Sequence, residues 1–429
     1  MHIPQNWYGR PLRGELSLPG DKSISHRAAL LASLAHGTSY IDHFAPGGDC
    51  RSTLRCLEMM GIQARQEQER LIVQGLGLRG FHQPSGSLDA GNSGTTMRLM
   101  SGILAGQRFA SVIDGDSSLR QRPMERVLKP LRLMGAQVAA ADGHGHAPLS
   151  IQGGALQGIR YEMDVASAQV KSALLLAGLY ARGQTSVIEP APTRDHTERM
   201  LRGMGASVTN SDRCITLEPV EQLHPLQMTV PGDFSTAAFF IAAAVSVPGS
   251  ELLLKGVGVN PTRTGFLTII ERMGGSVELL NHRDEGGEPV ADIRCVHRPL
   301  HGASVDGDLI SLAIDELPLV AVLATQARGV TEVRGAQELR VKESDRIAAM
   351  ARGLMALGAK IVELDDGWSI AGSAKLGGAS VDSAGDHRVA MALAIAALHA
   401  QGATQITGSQ WVGISTPAFY NDLSRLLQV

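Results

Sequence analysis

Cysteine and aromatic residues are both scarce in this chain of 429 residues, which has four cysteines and only 4% aromatic side chains. Cys50, Cys56, Cys214 and Cys295 include no CxxC pair, which argues against a zinc knuckle or a thioredoxin-type motif and leaves buried thiols as the reading. An excess of positive charge is missing too. At a net charge of -3 the chain lacks the strongly basic balance of a general nucleic-acid binder, so no nucleic-acid partner is expected and any anion site must be local. Long apolar runs are absent as well. The most apolar stretch, AAFFIAAAVSV at 237 to 247, falls short of the roughly 18 residues of a membrane span. The opening MHIPQNWYGRPLRGELSLPG has no apolar core behind a basic leader, so it does not read as a secretory signal, and a cytoplasmic address without membrane attachment is expected. The length allows two or three domains.

What is present is a repeat. Helices rich in small apolar residues, each followed by a glycine-containing turn and a β-like run, start near residues 26, 95, 170, 235, 317 and 388. A second helix follows in each of the first five copies, signed by a glycine stop in LRCLEMMGI, LKPLRLMGAQV, MLRGMGASV, TIIERMGGSV and GLMALGAKI; the sixth copy ends in YNDLSRLL. Each copy reads strand, helix, strand, helix, strand, which makes the fold α/β. Six such copies exceed one compact core, and three per domain is the economical grouping. The Pro-Gly pairs at 19 to 20 and 231 to 232 mark the crossings, giving one domain of residues 1–20 plus 231–429 and another of residues 21–230.

Polar clusters recur at one place in this repeat. GDKSISHR, GNSGTTMR, ASAQVKS, PGDFST, AIDELP and GDHR each open one of the six apolar helices. In the first, Lys22, His26 and Arg27 crowd the opening turn of a helix that reads as stopping at Gly37, where cations oppose the helix dipole and the unsatisfied N–H groups. Either an anionic ligand or a solvated surface must account for them. Exposed N–H groups together with Lys and Arg at similarly oriented helix starts favour an anion-binding surface. GNSGTT lacks the Lys-Ser/Thr ending of a P-loop, although Gly91 and Gly94 let backbone approach a ligand closely. In LRQRPMERV, Arg120 or Arg122 is either a clamp for a carboxylate or phosphate or half of a solvated pair. RVKESDR at 340 to 346 is either a self-paired charged face or a site that holds two anions while Glu343 moves a proton. Asp315 alone reads most simply as a helix cap. GHGH reads as a loop, and no metal is assigned to it.

Taken in order, DKSISHR, GNSGTT, LRQRPM, SAQVKSALLLAG, RVKESDR and GDHRVAM resemble the EPSP synthase (3-phosphoshikimate 1-carboxyvinyltransferase) family over nearly the entire chain, and TRDHTE at 193 to 198 resembles its bacterial subgroup. The resemblance implies the enolpyruvyl transferase fold: two domains, each of three βαβαββ-type units in an inverse α/β barrel-like arrangement, closing over a cleft. It implies transfer of the carboxyvinyl group of phosphoenolpyruvate to the 5-hydroxyl of shikimate 3-phosphate, with no metal or organic cofactor. The partners it implies are those two substrates, and a monomer is expected.

Matched position by position, the resemblance assigns Lys22, Ser23, Arg27, Ser167, Ala168, Gln169, Arg194, Asp315 and Lys342 to shikimate 3-phosphate. It assigns Lys22, Gly94, Arg122, Gln169, Arg346 and Arg388 to phosphoenolpyruvate. Asp315 matches the acceptor of the 5-hydroxyl proton, Glu343 the group moving a proton at the vinyl carbon, and Lys22 a cation serving both substrates. Some positions depart from the enteric pattern: Ala168 replaces a serine, Glu338 an asparagine, and ISTPAFYND lacks an expected lysine. The sister family acting on UDP-N-acetylglucosamine carries a cysteine in the loop matching DGDSSLRQRPM, and this loop has none.

Overall fold

Apolar residues cover every side of six helices, Lys22–Leu34, Gly94–Ala105, Ala168–Gly178, Phe234–Ser246, Leu317–Gln326 and His387–Ala397, and nearly all of their side chains are buried. A helix without a polar face is stable only inside a core. Each is followed by a strand and then by a second helix. The computed structural model describes residues 1–428, and these form two units with separate cores.

The second helices end alike. After Met60, Met134, Met204, Met273 and Leu357 come Gly61, Gly135, Gly205, Gly274 and Gly358, with φ of 90°, 95°, 90°, 81° and 95°. A left-handed residue is what ends a helix and releases the chain into a strand, and glycine adopts it without strain. The first core helix stops differently from its sequence reading. It ends at Leu34, and Gly37 lies inside the strand His36–Asp42.

Five repeats contain a four-stranded sheet of one design. In the second repeat, Leu88–Asp89 pairs in parallel with Ala110–Asp114, while Leu149–Gln152 returns antiparallel between that strand and Gln137–Ala140. A parallel pair needs a crossover, which the buried helix supplies. The third and fifth repeats follow the same order. The first and fourth borrow their leading strands, Gln227–Thr229 pairing with His36–Asp42 and Arg13–Ser17 with Glu251–Gly258. In the sixth, His2–Ile3 pairs antiparallel with the strand Thr404–Thr407, taking the place of the missing hairpin strand.

One unit comprises Met1–Pro19, Pro231–Arg283 and the chain from Pro289 onward; the other comprises Gly20–Val230 with Asp284–Glu288. Gly20 and the segment Asp284–Glu288 thus fall in the opposite unit from the sequence assignment. Glu288 is buried there, its Oε1 2.7 Å from His196 Nδ1.

Two core helices of this unit approach unusually closely. A Cβ on Gly102 would lie 2.1 Å from the Ala173 carbonyl oxygen, so only glycine lets Gly94–Ala105 pack on Ala168–Gly178. That contact brings the polar starts of the two helices together.

Candidate active site

Five of the six core helices are capped by the residue just before them. Asp21, Ser93, Ser167, Asp233 and Asp386 accept backbone N–H groups from Ile24, Thr96, Val170, Thr236, and from Arg388 and Val389, respectively. These short polar residues satisfy donors that a helix start leaves without partners. Asp21 therefore already offsets part of the charge problem at the first helix, and Lys22 Nζ lies 3.0 Å from Asp49 Oδ2.

His26, counted among the cations from the sequence, is neutral. Burial pulls its pKa down to about 3, against the opposing pull of Asp49. Its Nδ1 lies 2.7 Å from Thr53 Oγ1, which lies 2.7 Å from Thr96 Oγ1, and Thr96 Oγ1 donates to Ser93 Oγ at 2.8 Å. The unfolded chain takes up a proton on this histidine below about pH 6.5, whereas the folded one resists until about 3. Its contribution to stability is therefore complete above pH 6.5 and is lost as pH falls, by up to ~1.4 kcal/mol per pH unit. His26→Asn, which keeps a donor for Thr53, should lose less stability than the parent between pH 6.5 and 4 in urea titrations. Equal losses would contradict a buried neutral imidazole.

Arg27 is 3% exposed and fully engaged at this helix start. Its Nε donates to Thr197 Oγ1 at 2.9 Å, Nη2 to Ser172 Oγ at 2.9 Å, and Nη1 to the Ser23 carbonyl at 3.0 Å. Arg194 Nη1 reaches Ser23 Oγ at 3.4 Å. Lys22, Ser23, Arg27 and Arg194 thus come together around one helix start.

A second cluster forms where the two close helices begin. Gln169 Oε1 accepts from Arg98 Nη1 at 2.5 Å, and Gln169 Nε2 donates to Thr95 Oγ1 at 2.8 Å. Arg122 Nη2 donates to Asn92 Oδ1 at 2.7 Å. A Cβ on Gly94 would stand 3.0 Å from Arg98 Nη1 and 3.4 Å from Arg122 Nη1, so two guanidinium groups converge on that backbone. Arg122 is buried, while Arg120 is exposed and paired with Asp114, so Arg120 is the half of a solvated pair. Arg98 was not singled out from the sequence. Its signal is its spacing, since four residues after Gly94 is one helical turn on the same face. Ser167 caps the neighbouring helix, and Ala168, lacking a hydroxyl, has only backbone groups to offer a ligand.

The other unit assembles a different cluster around Arg346, which is 1% exposed. Its Nε donates to Asp386 Oδ2 at 2.8 Å, Nη2 to Glu343 Oε2 at 2.6 Å, and Nη1 to Asp315 Oδ1 at 3.3 Å. Burial works against this charge, but Asp386, Glu343 and Asp315 outweigh it and hold the guanidinium pKa above its ordinary value. Arg388 Nη2 lies 3.5 Å from Asp315 Oδ2. Burial lowers the pKa of Lys342, with Asp315 opposing the shift and Arg346 reinforcing it.

The charges of RVKESDR divide into two groups. Arg340 pairs with Asp345 and Glu363 and serves the scaffold, while Glu343 and Arg346 join Asp315. Capping does not explain Asp315. Its helix is the one core helix without a side-chain cap: Glu316 occupies the cap position and accepts instead from Ser235 Oγ at 2.5 Å. Asp386, also missed from the sequence, is fully buried and combines a helix cap with the pairing of Arg346.

One group of helix starts therefore gathers cations and backbone N–H groups, while the other gathers carboxylates on shared guanidinium groups. The first suits phosphorylated, carboxylated ligands, and the second suits proton transfer. The family model for EPSP synthase (3-phosphoshikimate 1-carboxyvinyltransferase) matches residues 8–423. The chain belongs to the EPSP synthase family.

Family members named 3-phosphoshikimate 1-carboxyvinyltransferase include one from Brevibacillus brevis, 50% identical over 98% of both chains. Another, from Acidithiobacillus ferrooxidans, is 53% identical over 96% of this chain and 94% of its own. The solved EPSP synthase of Acinetobacter baumannii superposes with a TM-score of 0.86 at 44% identity, covering 97% of this chain and 96% of that one. The enolpyruvyl transferase NikO from Streptomyces tendae shares the fold at a TM-score of 0.77 and 19% identity, over 99% of this chain and 96% of its own. The enolpyruvyl transferase fold read from the motifs is thus the fold of the chain. No helix among the described residues is long and apolar enough to cross a membrane.

Proposed function

We propose that this chain transfers the carboxyvinyl group of phosphoenolpyruvate to the 5-hydroxyl of shikimate 3-phosphate, releasing inorganic phosphate. The observation that carries the mechanism is the arrangement of Asp315. Its carboxylate forgoes a cap and lies 3.3 Å from Arg346 and 3.5 Å from Arg388, with Glu343 on the same Arg346.

In this reading Lys22, Ser23, Arg27, Ser167, Ala168, Gln169, Arg194 and Lys342 hold shikimate 3-phosphate, Ala168 through its backbone. Lys22, Gly94, Arg122, Gln169, Arg346 and Arg388 hold phosphoenolpyruvate. Asp315 takes the proton of the 5-hydroxyl as its oxygen bonds to C2 of the enol, while Glu343 delivers a proton to C3. The tetrahedral adduct then loses the C2–O bond to phosphate and a proton from C3, restoring the vinyl group. An alcohol is a poor nucleophile and C2 is electrophilic only as C3 gains its proton, so base and acid must work side by side. The cations hold two mutually repelling anions and offset charge in the adduct, with Lys22 serving both. No metal or organic cofactor enters these steps. The two units are proposed to act as domains of a cytoplasmic monomer.

The mechanism has a label-based test. Turnover in deuterium oxide should place solvent deuterium on the vinyl carbon of the product, because C3 passes through a methyl group. Product formed at the normal rate with no deuterium would mean that C3 is never protonated and that the addition-elimination reading is wrong.

A further inference from the structure

A charged cluster that the mechanism does not use lies beneath the acceptor-side cations. Lys171 Nζ is 2.6 Å from Glu198 Oε1 and 3.0 Å from Glu189 Oε1, and the three side chains are 1%, 1% and 5% exposed. Buried ion pairs are poor contributors to stability compared with apolar packing, so their presence calls for another account. The surrounding contacts offer one. Lys171 also donates to the Thr193 carbonyl at 3.4 Å, and the Thr193 hydroxyl donates to Glu189. Thr193 directly precedes Arg194, so the cluster closes the base of the loop that presents this arginine. One residue along on both helices, Ser172 Oγ and Thr197 Oγ1 lie 2.7 Å apart, and each accepts from Arg27. Two successive rungs therefore join the helix Ala168–Gly178 to the helix His196–Gly203, one gripping Arg27 and the other the root of Arg194.

We propose that Lys171, with Glu189 and Glu198, is a positioning cluster that fixes Arg194 beside Arg27 and thereby sets the affinity for the phosphate of the acceptor. This rests on the assignment of Arg27 and Arg194 to shikimate 3-phosphate. Lys171 touches no substrate in this account; it acts through Arg194.

The test is a double-mutant cycle of Lys171→Met and Arg194→Ala, reading KM for each substrate, kcat and thermal midpoint. Lys171→Met should raise KM for shikimate 3-phosphate by about tenfold or more, the scale of one misplaced charge-assisted hydrogen bond, with KM for phosphoenolpyruvate little changed. In the double variant the two effects should not multiply, because removing Arg194 leaves nothing to position. Should Lys171→Met fail to fold, Glu198→Gln, which conserves volume, carries the same cycle. Effects that multiply, or a loss confined to kcat and thermal midpoint, would overturn the positioning role. An unchanged acceptor KM in Arg194→Ala would instead remove the site assignment itself, and the proposal with it.

Discussion

Asparagine in place of Asp315 should lower kcat by about a hundredfold to ten-thousandfold, with the KM of each substrate changed only a few-fold. The side chain keeps its shape and can still face Arg346 and Arg388, but it can no longer accept the proton of a hydroxyl. The split between kcat and KM is the informative part. If the carboxylate only balanced the two guanidinium groups at 3.3 Å and 3.5 Å, its loss would disturb phosphoenolpyruvate binding first and KM would rise with the fall in kcat. Comparable losses in both would therefore count against Asp315 as the base. Steady-state kinetics at saturating levels of each substrate separate the two outcomes.

Replacing Arg346 with methionine should be the most destabilising single change in the candidate site, costing about 3–5 kcal/mol at neutral pH. The guanidinium is 1% exposed and is shared by Asp386, which is itself 0% exposed, together with Glu343 and Asp315. Without it, the buried Asp386 and the partly buried Glu343 and Asp315 lose the cation they share. Their pKa values in the folded variant should then rise above those of the unfolded chain. A group in that state stabilises the fold only when protonated, so the deficit relative to the parent should be largest at neutral and higher pH and should shrink as pH falls. Denaturant titrations from pH 8 to 5 would show this convergence. A deficit independent of pH would mean that Arg346 contributes packing rather than charge balance. Activity should be lost throughout, since the proposed mechanism has Arg346 hold phosphoenolpyruvate.

The repeat was legible in the sequence because each copy solves one physical problem in one way. A helix without a polar face must be buried, and a glycine in the left-handed conformation must end its amphipathic companion, as Gly61, Gly135, Gly205, Gly274 and Gly358 do. Partnerships between distant segments were not legible. Nothing in His2–Ile3 or Arg13–Ser17 says that these strands complete the sixth and fourth sheets. The site divides along similar lines. Lys22 and Arg27 stand out because cations are costly at a helix start, and Gly94 because glycine lets backbone approach a ligand there. Asp315 could not be separated from an ordinary cap by local sequence, since the same residue type in the same place serves either role. The answer lies in Arg346 and Arg388, 31 and 73 residues away along the chain. His26 shows the opposite failure: its position is local, but its charge is decided by burial among residues of other helices. Asp386 and the Lys171 cluster were missed for the same reason, being ordinary in composition and distinctive only in what they touch.

The most direct measurement of the central claim is phosphate release from phosphoenolpyruvate in metal-free buffer, run in parallel with shikimate 3-phosphate and with UDP-N-acetylglucosamine as acceptors. The account predicts release with shikimate 3-phosphate alone. Release with UDP-N-acetylglucosamine alone would contradict the acceptor, and no release with either, from folded protein that still binds both anions, would contradict catalysis itself.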